Sequence, residues 1–310
     1  MLSRRNIRVK VMQALYSIES MNNETRPGEA LQILKQNIEQ SRYLFAYLIS
    51  FIIEVARFAE RDAVKRAQKH LPSVDDLNTN TKISGNEIVW LIIDNVYFKK
   101  TVEHFKVKHL MDDELIKKTY LQLTTSPEYK EYIQIKARDK RSEKKILEYI
   151  FDNLMLPEEF FLSDVEEKFI HWDDDVDMMI TLMASLLQKP ASFNFEEIIG
   201  KEKIDFAIEL MECVIDKKNF TLDLIKPKLK NWDAERIASL DMILMQMGAC
   251  EFLYFETIPP RVTINEYIDL AKEYSTEQSG HFVNGILDNI HKELLSQNKI
   301  HKKNFKNSTL

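Results

Sequence analysis

Residues 257–288 read TIPPRVTINEYIDLAKEYSTEQSGHFVNGILD. Ile264, Ile268 and Ala271 fall on one helical face and Phe282, Val283, Ile286 and Leu287 on the next, so the spacing predicts two short amphipathic helices joined by a polar turn. The stretch offers no nucleophile with a partner base, no metal-ligand cluster and no phosphate loop. Gly280 and Gly285 have the spacing of a phosphate loop, but Ile286 and Leu287 occupy the positions that need Lys and Ser or Thr.

Working outward, the preceding residues 237–254 carry Ile237, Leu240, Ile243, Leu244, Met247 and Phe252 at helical spacing, with Asp233 as a cap. Met242, Met245 and Met247 read as fillers of an apolar core. Pro259 and Pro260 end this helix, and Thr263 or Asn265 begins the next. Further upstream, Lys201 to Asp216 and Leu222 to Lys230 are helical. The whole chain of 310 residues has six glycines and eight prolines, well under the usual ~7% and ~5%. Tight hairpins have little raw material here, and an all-α fold follows.

Charge and cysteine usage narrow the function classes. A formal charge of −6 argues against a protein that coats nucleic acid along its length, so any RNA site is local. Cys213 and Cys250 sit on separate helical segments without metal-ligand spacing, and with no secretory leader a reducing cytoplasm is expected. The apolar run from Tyr43 to Ile53 is shorter than the roughly 20 residues a membrane-crossing helix needs.

At the other end of the chain, residues 3–20 read SRRNIRVKVMQALYSIES. Ile7, Val11, Ala14, Leu15 and Ile18 form an apolar stripe, with Ser3 as the expected N-cap. Arg4, Arg5, Arg8 and Lys10 crowd the first two turns, where cations oppose the helix dipole. Folding alone does not favour that arrangement, which directs attention to an anionic partner.

The run IPPRVTINEYIDLAKEYS followed by FVNGILD resembles the C-terminal half of the NusB family of transcription antitermination factors, and the Arg-rich start leading into QALY resembles that family's first helix. In the preceding helix Asp241 and Glu251 keep family places, while Gln246 and Cys250 depart from the usual Arg and Tyr. The resemblance implies an all-α, NusB-like helical bundle with additional helices in the N-terminal and middle region. It implies a cytoplasmic, noncatalytic RNA-binding factor that holds boxA-like single-stranded RNA of ribosomal RNA operons. Its protein partner is NusE, the small-subunit ribosomal protein, and together they join the RNA polymerase antitermination complex. Carried over residue by residue, RNA binding falls on Arg4, Arg5, Arg8, Gln13, Tyr16, Phe282 and Asn284, and partner binding on Glu251. No cofactor, metal or membrane enters the expectation. The alternative is a helical protein-protein interaction scaffold without an RNA role.

The resemblance leaves the middle of the chain uncovered. The domain expectation is an N-terminal helical region over 1–195, a NusB-like domain over 196–297 and a frayed basic tail over 298–310. Within the first, Ala30 to Gln68 reads as one long helix and His70 to Gly85 as a polar loop. Helices resume from Asn86 to about Ile150, with a break near Thr124 to Pro127. The basic stretch Lys130 to Lys145 alternates with acids and reads as a solvated helix laced with i,i+4 pairs, although Tyr129, Tyr132 and Tyr149 give it a composition that could contact RNA. The acidic run Glu158 to Asp177 lacks the spacing of a calcium loop and reads as a helix start before Met178.

Overall fold

A computed structural model describes residues 4–21, 28–229 and 237–303 of the chain. Among them are fifteen α-helices and no strand. The described residues divide into two compact units: Glu39–Ile199 forms the first, and the residues up to Ile38 together with those from Gly200 onward form the second. The packing therefore joins the start of the chain to its end, with the later break between Ile199 and Gly200.

The first unit is built on α2, Glu29–Ala67, whose opening turns up to Ile38 group with the second unit. At 1.5 Å per residue this helix is about 58 Å long, and packing rather than propensity holds it. Its aromatic residues supply that packing. Tyr43 stacks on Phe105 at 4.8 Å and meets Phe169 edge-on, Phe45 forms a three-ring cluster with Phe193 and Phe195, Phe51 meets Phe161, and Phe58 meets Tyr120. Around α2 are α3 (Val74–Leu77), α4 (Glu87–Asp94), α5 (Val96–Phe105), α6 (Asp113–Thr125), α7 (Pro127–Gln134), α8 (Lys140–Tyr149), α9 (Glu159–Lys168) and α10 (Trp172–Gln188).

Side-chain caps mark several of these boundaries. Asn86, Asn95 and Asp112 each accept two backbone N–H groups at the starts of α4, α5 and α6. Asp173, Asp174 and Asp175 occupy the first turn of α10, as the acidic run suggested, and buried Asp175 also accepts the Ser41 hydroxyl at 2.6 Å. The supposed loop 70–85 contains α3 and a 3-10 turn at Lys82–Gly85. The basic stretch 130–145 spans the end of α7 and the start of α8, with Ile135–Asp139 between them. Tyr129 and Tyr132 are buried there, and the Tyr132 hydroxyl donates to fully buried Glu143, so neither ring is offered to a ligand.

The second unit contains α1 (Arg4–Ser20), α11 (Lys201–Asp216), α12 (Lys218–Ile225), α13 (Ser239–Tyr254), α14 (Pro260–Tyr274) and α15 (Glu277–Ser296). Helix α13 is its centre, with Ile243 to Phe252 buried without interruption. Such a helix shows no amphipathic stripe because neighbours cover it on every side. Helices α1, α11, α12, α14 and α15 supply that cover. Gly248 permits the closest approach: a Cβ there would lie 2.8 Å from Leu287 and 3.3 Å from Tyr267.

Two helix ends differ from the sequence reading. Pro259 is the N-cap and Pro260 the first residue of α14, so the proline pair opens this helix; the first turn needs no N–H there. The buried side of α14 is Thr263, Tyr267, Leu270 and Ala271, with Ile264 and Ile268 only half-buried beside it. At the end of α15, Asn298 takes φ 52, and the N–H groups of Asn298 and Lys299 bond to Leu295 and Leu294 in a Schellman closure. Lys302 then donates to the carbonyls of Glu251 at 2.7 Å and Phe255 at 2.8 Å, satisfying the end of α13. The tail is thus anchored through Lys303, rather than frayed from 298. Expected features at Ser3, Asp233 and 304–310 lie outside the described residues.

Candidate nucleic-acid interface

The apolar stripe of α1 packs against α11 and α13, as its spacing requires. That packing decides which of its cations reach solvent. Arg8 is 1% exposed, Arg5 half-buried and Arg4 exposed. Arg8 belongs to the face shared by Met12 and Leu15, and its guanidinium enters the bundle instead of leaving it.

Inside, Arg8 Nε donates to Glu251 Oε1 at 2.7 Å and Nη2 to Oε2 at 3.1 Å, while Nη1 reaches Glu266 at 3.2 Å. Glu251 also accepts the Thr263 hydroxyl at 3.0 Å and the Tyr267 hydroxyl at 2.8 Å. Phe206 and Tyr267 present their rings to the guanidinium at 5.7 and 5.8 Å. Burial pulls the Arg8 pKa down, but the hydrogen bond and charge of Glu251 outweigh it and the net shift is upward. Burial, with the Glu251 charge behind it, pushes the Tyr267 phenol well above its ordinary range.

This network corrects two expectations. Arg8 and Glu251 are each other's partners in the core, so neither is placed to meet RNA or a protein surface. Phe282 requires the same correction: it is buried beside Val283 and Ile286 on the inner face of α15, and no ring face is offered to an unpaired base. The signal was present in the sequence. Glu251 lies in a helix whose buried residues are otherwise apolar or small apart from Asp241 and Gln246, and an acid in such a setting calls for a buried cation or hydrogen-bond donors.

The remaining positions are at or near the surface. Arg4 pairs with Glu202 at 3.0 Å and lies 5.8 Å from the Phe206 ring centre. Arg5 pairs with Glu273 at 2.6 Å and approaches Asp269 at 3.8 Å, which sets it beside the end of α14. Lys272, three residues after Asp269 and next to Glu273, runs its stem over Gly280, where any added Cβ would lie 2.6 Å from Lys272 Cγ. Asn284 is exposed one turn beyond Gly280 on the same face of α15. Arg5 thus pairs with the residue next to Lys272, and Lys272 packs one turn from Asn284 along α15.

Gln13 and Tyr16 are elsewhere on α1, about 12 and 17 Å along its axis from Arg5. Gln13 is half-buried and Tyr16 is 49% exposed, with Val9 and Met12 buried in the intervening turns. Sequence reasoning missed Lys272, whose place became evident only when α14 and α15 packed together. Among the described residues no group of three His, Cys, Asp or Glu side chains is arranged to hold a metal ion. No described helix is long and apolar enough to cross a membrane.

Comparison with known proteins gives this bundle a lineage. The NusB family model matches residues 180–292, from within α10 to α15. The transcription antitermination protein NusB of Finegoldia magna is 43% identical over 92 residues, covering 30% of this chain and 67% of that protein. This chain belongs to the NusB family. The NusB protein of Desulfatibacillum aliphaticivorans is 41% identical over 103 residues, or 33% of this chain and 72% of its own length. That of Methylacidiphilum infernorum is 44% identical over 101 residues, with 33% and 70% covered. No solved structure matches the chain. The family match begins at residue 180, so α1 with its basic start and nearly all of the first unit lie outside it.

Proposed function

We propose that this chain is a noncatalytic transcription antitermination factor that binds boxA-like single-stranded RNA and NusE and brings both to RNA polymerase. The observation carrying this reading is the match to NusB relatives through the helices that hold Asn284 and receive Arg5. On this reading Arg4, Arg5 and Asn284 contact the RNA, Lys272 adds a cation beside them, and Gln13 and Tyr16 extend the contact along α1. Phosphate contacts position the strand, while the Asn284 amide and the exposed Tyr16 ring supply base-edge and stacking contacts.

The carboxylates around Arg4 and Arg5 do not prevent this. Glu202, Asp269 and Glu273 are all more than half exposed, and such surface pairs contribute only about 0–1 kcal/mol. A phosphate can replace them at little cost. A scaffold role without RNA is the second reading, favoured by the same neutralised cations and by the burial of Arg8 and Phe282.

Fluorescence anisotropy with a labelled boxA-like RNA and a scrambled strand at two salt concentrations separates the readings. The RNA-binding account expects tighter binding of the boxA-like strand, a loss of affinity in higher salt, and weaker binding by an Arg4→Ala/Arg5→Ala variant. Equal affinity for both strands, or no effect of the double substitution, would favour the scaffold.

A further inference from the structure

The first unit contains a cleft of about 640 Å³ between α2, the end of α4, α5, the 3-10 turn Val107–Leu110 and the start of α6. That volume lies in the range of small-molecule sites, about 300–1,000 Å³. Its apolar lining includes Ile53, Ile93, Phe98 and Ile116. At the wall Ser50 is only 8% exposed, and its hydroxyl has no hydrogen-bond partner. A buried hydroxyl without a partner is uncommon in native folds and marks a place where a polar atom is expected.

The charged lining is not balanced. Glu54 lies near Arg57 and Arg61, Asp113 is paired with Arg61 at 2.8 Å, and Lys99 with Asp94 at 3.1 Å. Among the described residues, Lys106 and Lys108 have no ion-pair partner. Glu103 is the remaining lining carboxylate, which leaves two ammonium groups and the His109 ring against one acid. Lys106 also ends α5 at φ 51, a left-handed conformation that a non-glycine residue adopts only at a cost. That turn carries the chain into the segment bearing Lys108.

We propose that this cleft binds a small amphipathic anion, with a ring-sized apolar body against Ile53, Phe98 and Ile116 and one carboxylate or phosphate held by Lys106 and Lys108. A nucleic-acid strand fits less well, because phosphate binding along a backbone needs a succession of cations and here two lie close together in sequence above an apolar floor. The site belongs to the first unit and is independent of the RNA-binding account of the second.

The test uses the full chain with 8-anilinonaphthalene-1-sulfonate, an aromatic anion, and N-phenyl-1-naphthylamine, a neutral probe of similar size. The expected result is one saturable site for the anion, weakened about tenfold by Lys106→Gln/Lys108→Gln, while the neutral probe is unaffected. Val102→Trp, which fills the cleft, should exclude both; circular dichroism checks that it folds, and if it does not, the lysine variant decides. Displacement of the anion by 1-naphthoate but not 1-naphthyl phosphate assigns a carboxylate ligand, and the converse a phosphate. No saturable binding, displacement by neither competitor, or equal affinity in wild type and the double lysine variant overturns the proposal.

Discussion

Replacing Arg8 by Met isolates the Glu251 carboxylate in a site closed to solvent. The wild-type carboxylate accepts two hydrogen bonds from Arg8, at 2.7 and 3.1 Å, and one each from Thr263 and Tyr267. The substitution keeps the last two and removes two charge-assisted bonds, each contributing about 1.5–3 kcal/mol, with the cation itself. Removing one partner of a buried pair costs about 3–5 kcal/mol, and the two figures overlap. Against a total stability of roughly 5–15 kcal/mol, that is a large fraction.

Glu251→Gln should cost a similar amount, because its amide turns donors toward Arg8. Arg8→Met/Glu251→Gln removes both charges, and its cost should fall short of the sum of the singles by at least ~2 kcal/mol. Urea titrations followed by far-UV circular dichroism give the four stabilities. The Arg8 pKa is raised, so its ionic contribution is complete throughout the range below about pH 12 and offers no acid-labile step of its own. A cost below ~1 kcal/mol for Arg8→Met, typical of an exposed pair, would refute the buried placement. Strict additivity of the two substitutions would refute the coupling.

Other perturbations test separate parts of the fold. Gly248→Ala would gain about 1 kcal/mol in an open helix, but contact with Leu287 at 2.8 Å should turn this into a net loss, read as a lower melting temperature, and the decrement should shrink when the same substitution is made in a Leu287→Ala background. Lys302 is lowered to about 8 by burial, so its unfolded form binds more protons between that pH and about 10.4, and its burden on stability diminishes as pH rises through this window. The stability of Lys302→Met relative to wild type should therefore fall between pH 7 and 10; a constant difference contradicts the burial. Asp76 is held to about 2 chiefly by the Lys69 hydrogen bond, with Ser73 assisting. Its carboxyl carbon should titrate near that value by NMR and move toward the ordinary carboxylate range in Lys69→Ala; an unmoved midpoint would show that Lys69 is not the cause. Since the folded pKa is depressed, this interaction is present above about pH 4 and lost as pH falls through about 2.

Much of the second unit could be read from periodicity. The stripe Ile7, Val11, Ala14, Leu15 and Ile18 is buried throughout, and Lys201–Asp216 is a helix over the expected residues. The long helix expected from Ala30 to Gln68 is α2 within a residue at each end. The Pro259–Pro260 pair opens α14, where the sequence alone points to a helix end, because a proline pattern marks both helix ends and helix starts, and which one applies depends on whether the following turn is packed.

The site was less legible. A helical wheel places Arg8 beside the apolar stripe, but the identity of its partner, 243 residues away, depends on tertiary packing. Phe282 fits either a core or a stacking role by spacing, and the packing of α15 decides for the core. Lys272 gained interest only through its contact with Gly280 on the next helix. In the first unit, the cleft draws its lining from α2, α4, α5 and α6, so no single stretch of sequence announces it.

The central claim is that one chain holds RNA and NusE at the same time. The direct measurement is the affinity for boxA-like RNA by anisotropy with and without saturating NusE, repeated with the scrambled strand. Two modest surfaces engaged together gain through effective concentration, so NusE should tighten the boxA-like complex by tenfold or more, on the order of 1.4 kcal/mol, and leave the scrambled strand weak. An RNA affinity unchanged by NusE would contradict the account and leave a NusB-family bundle working through some other contact.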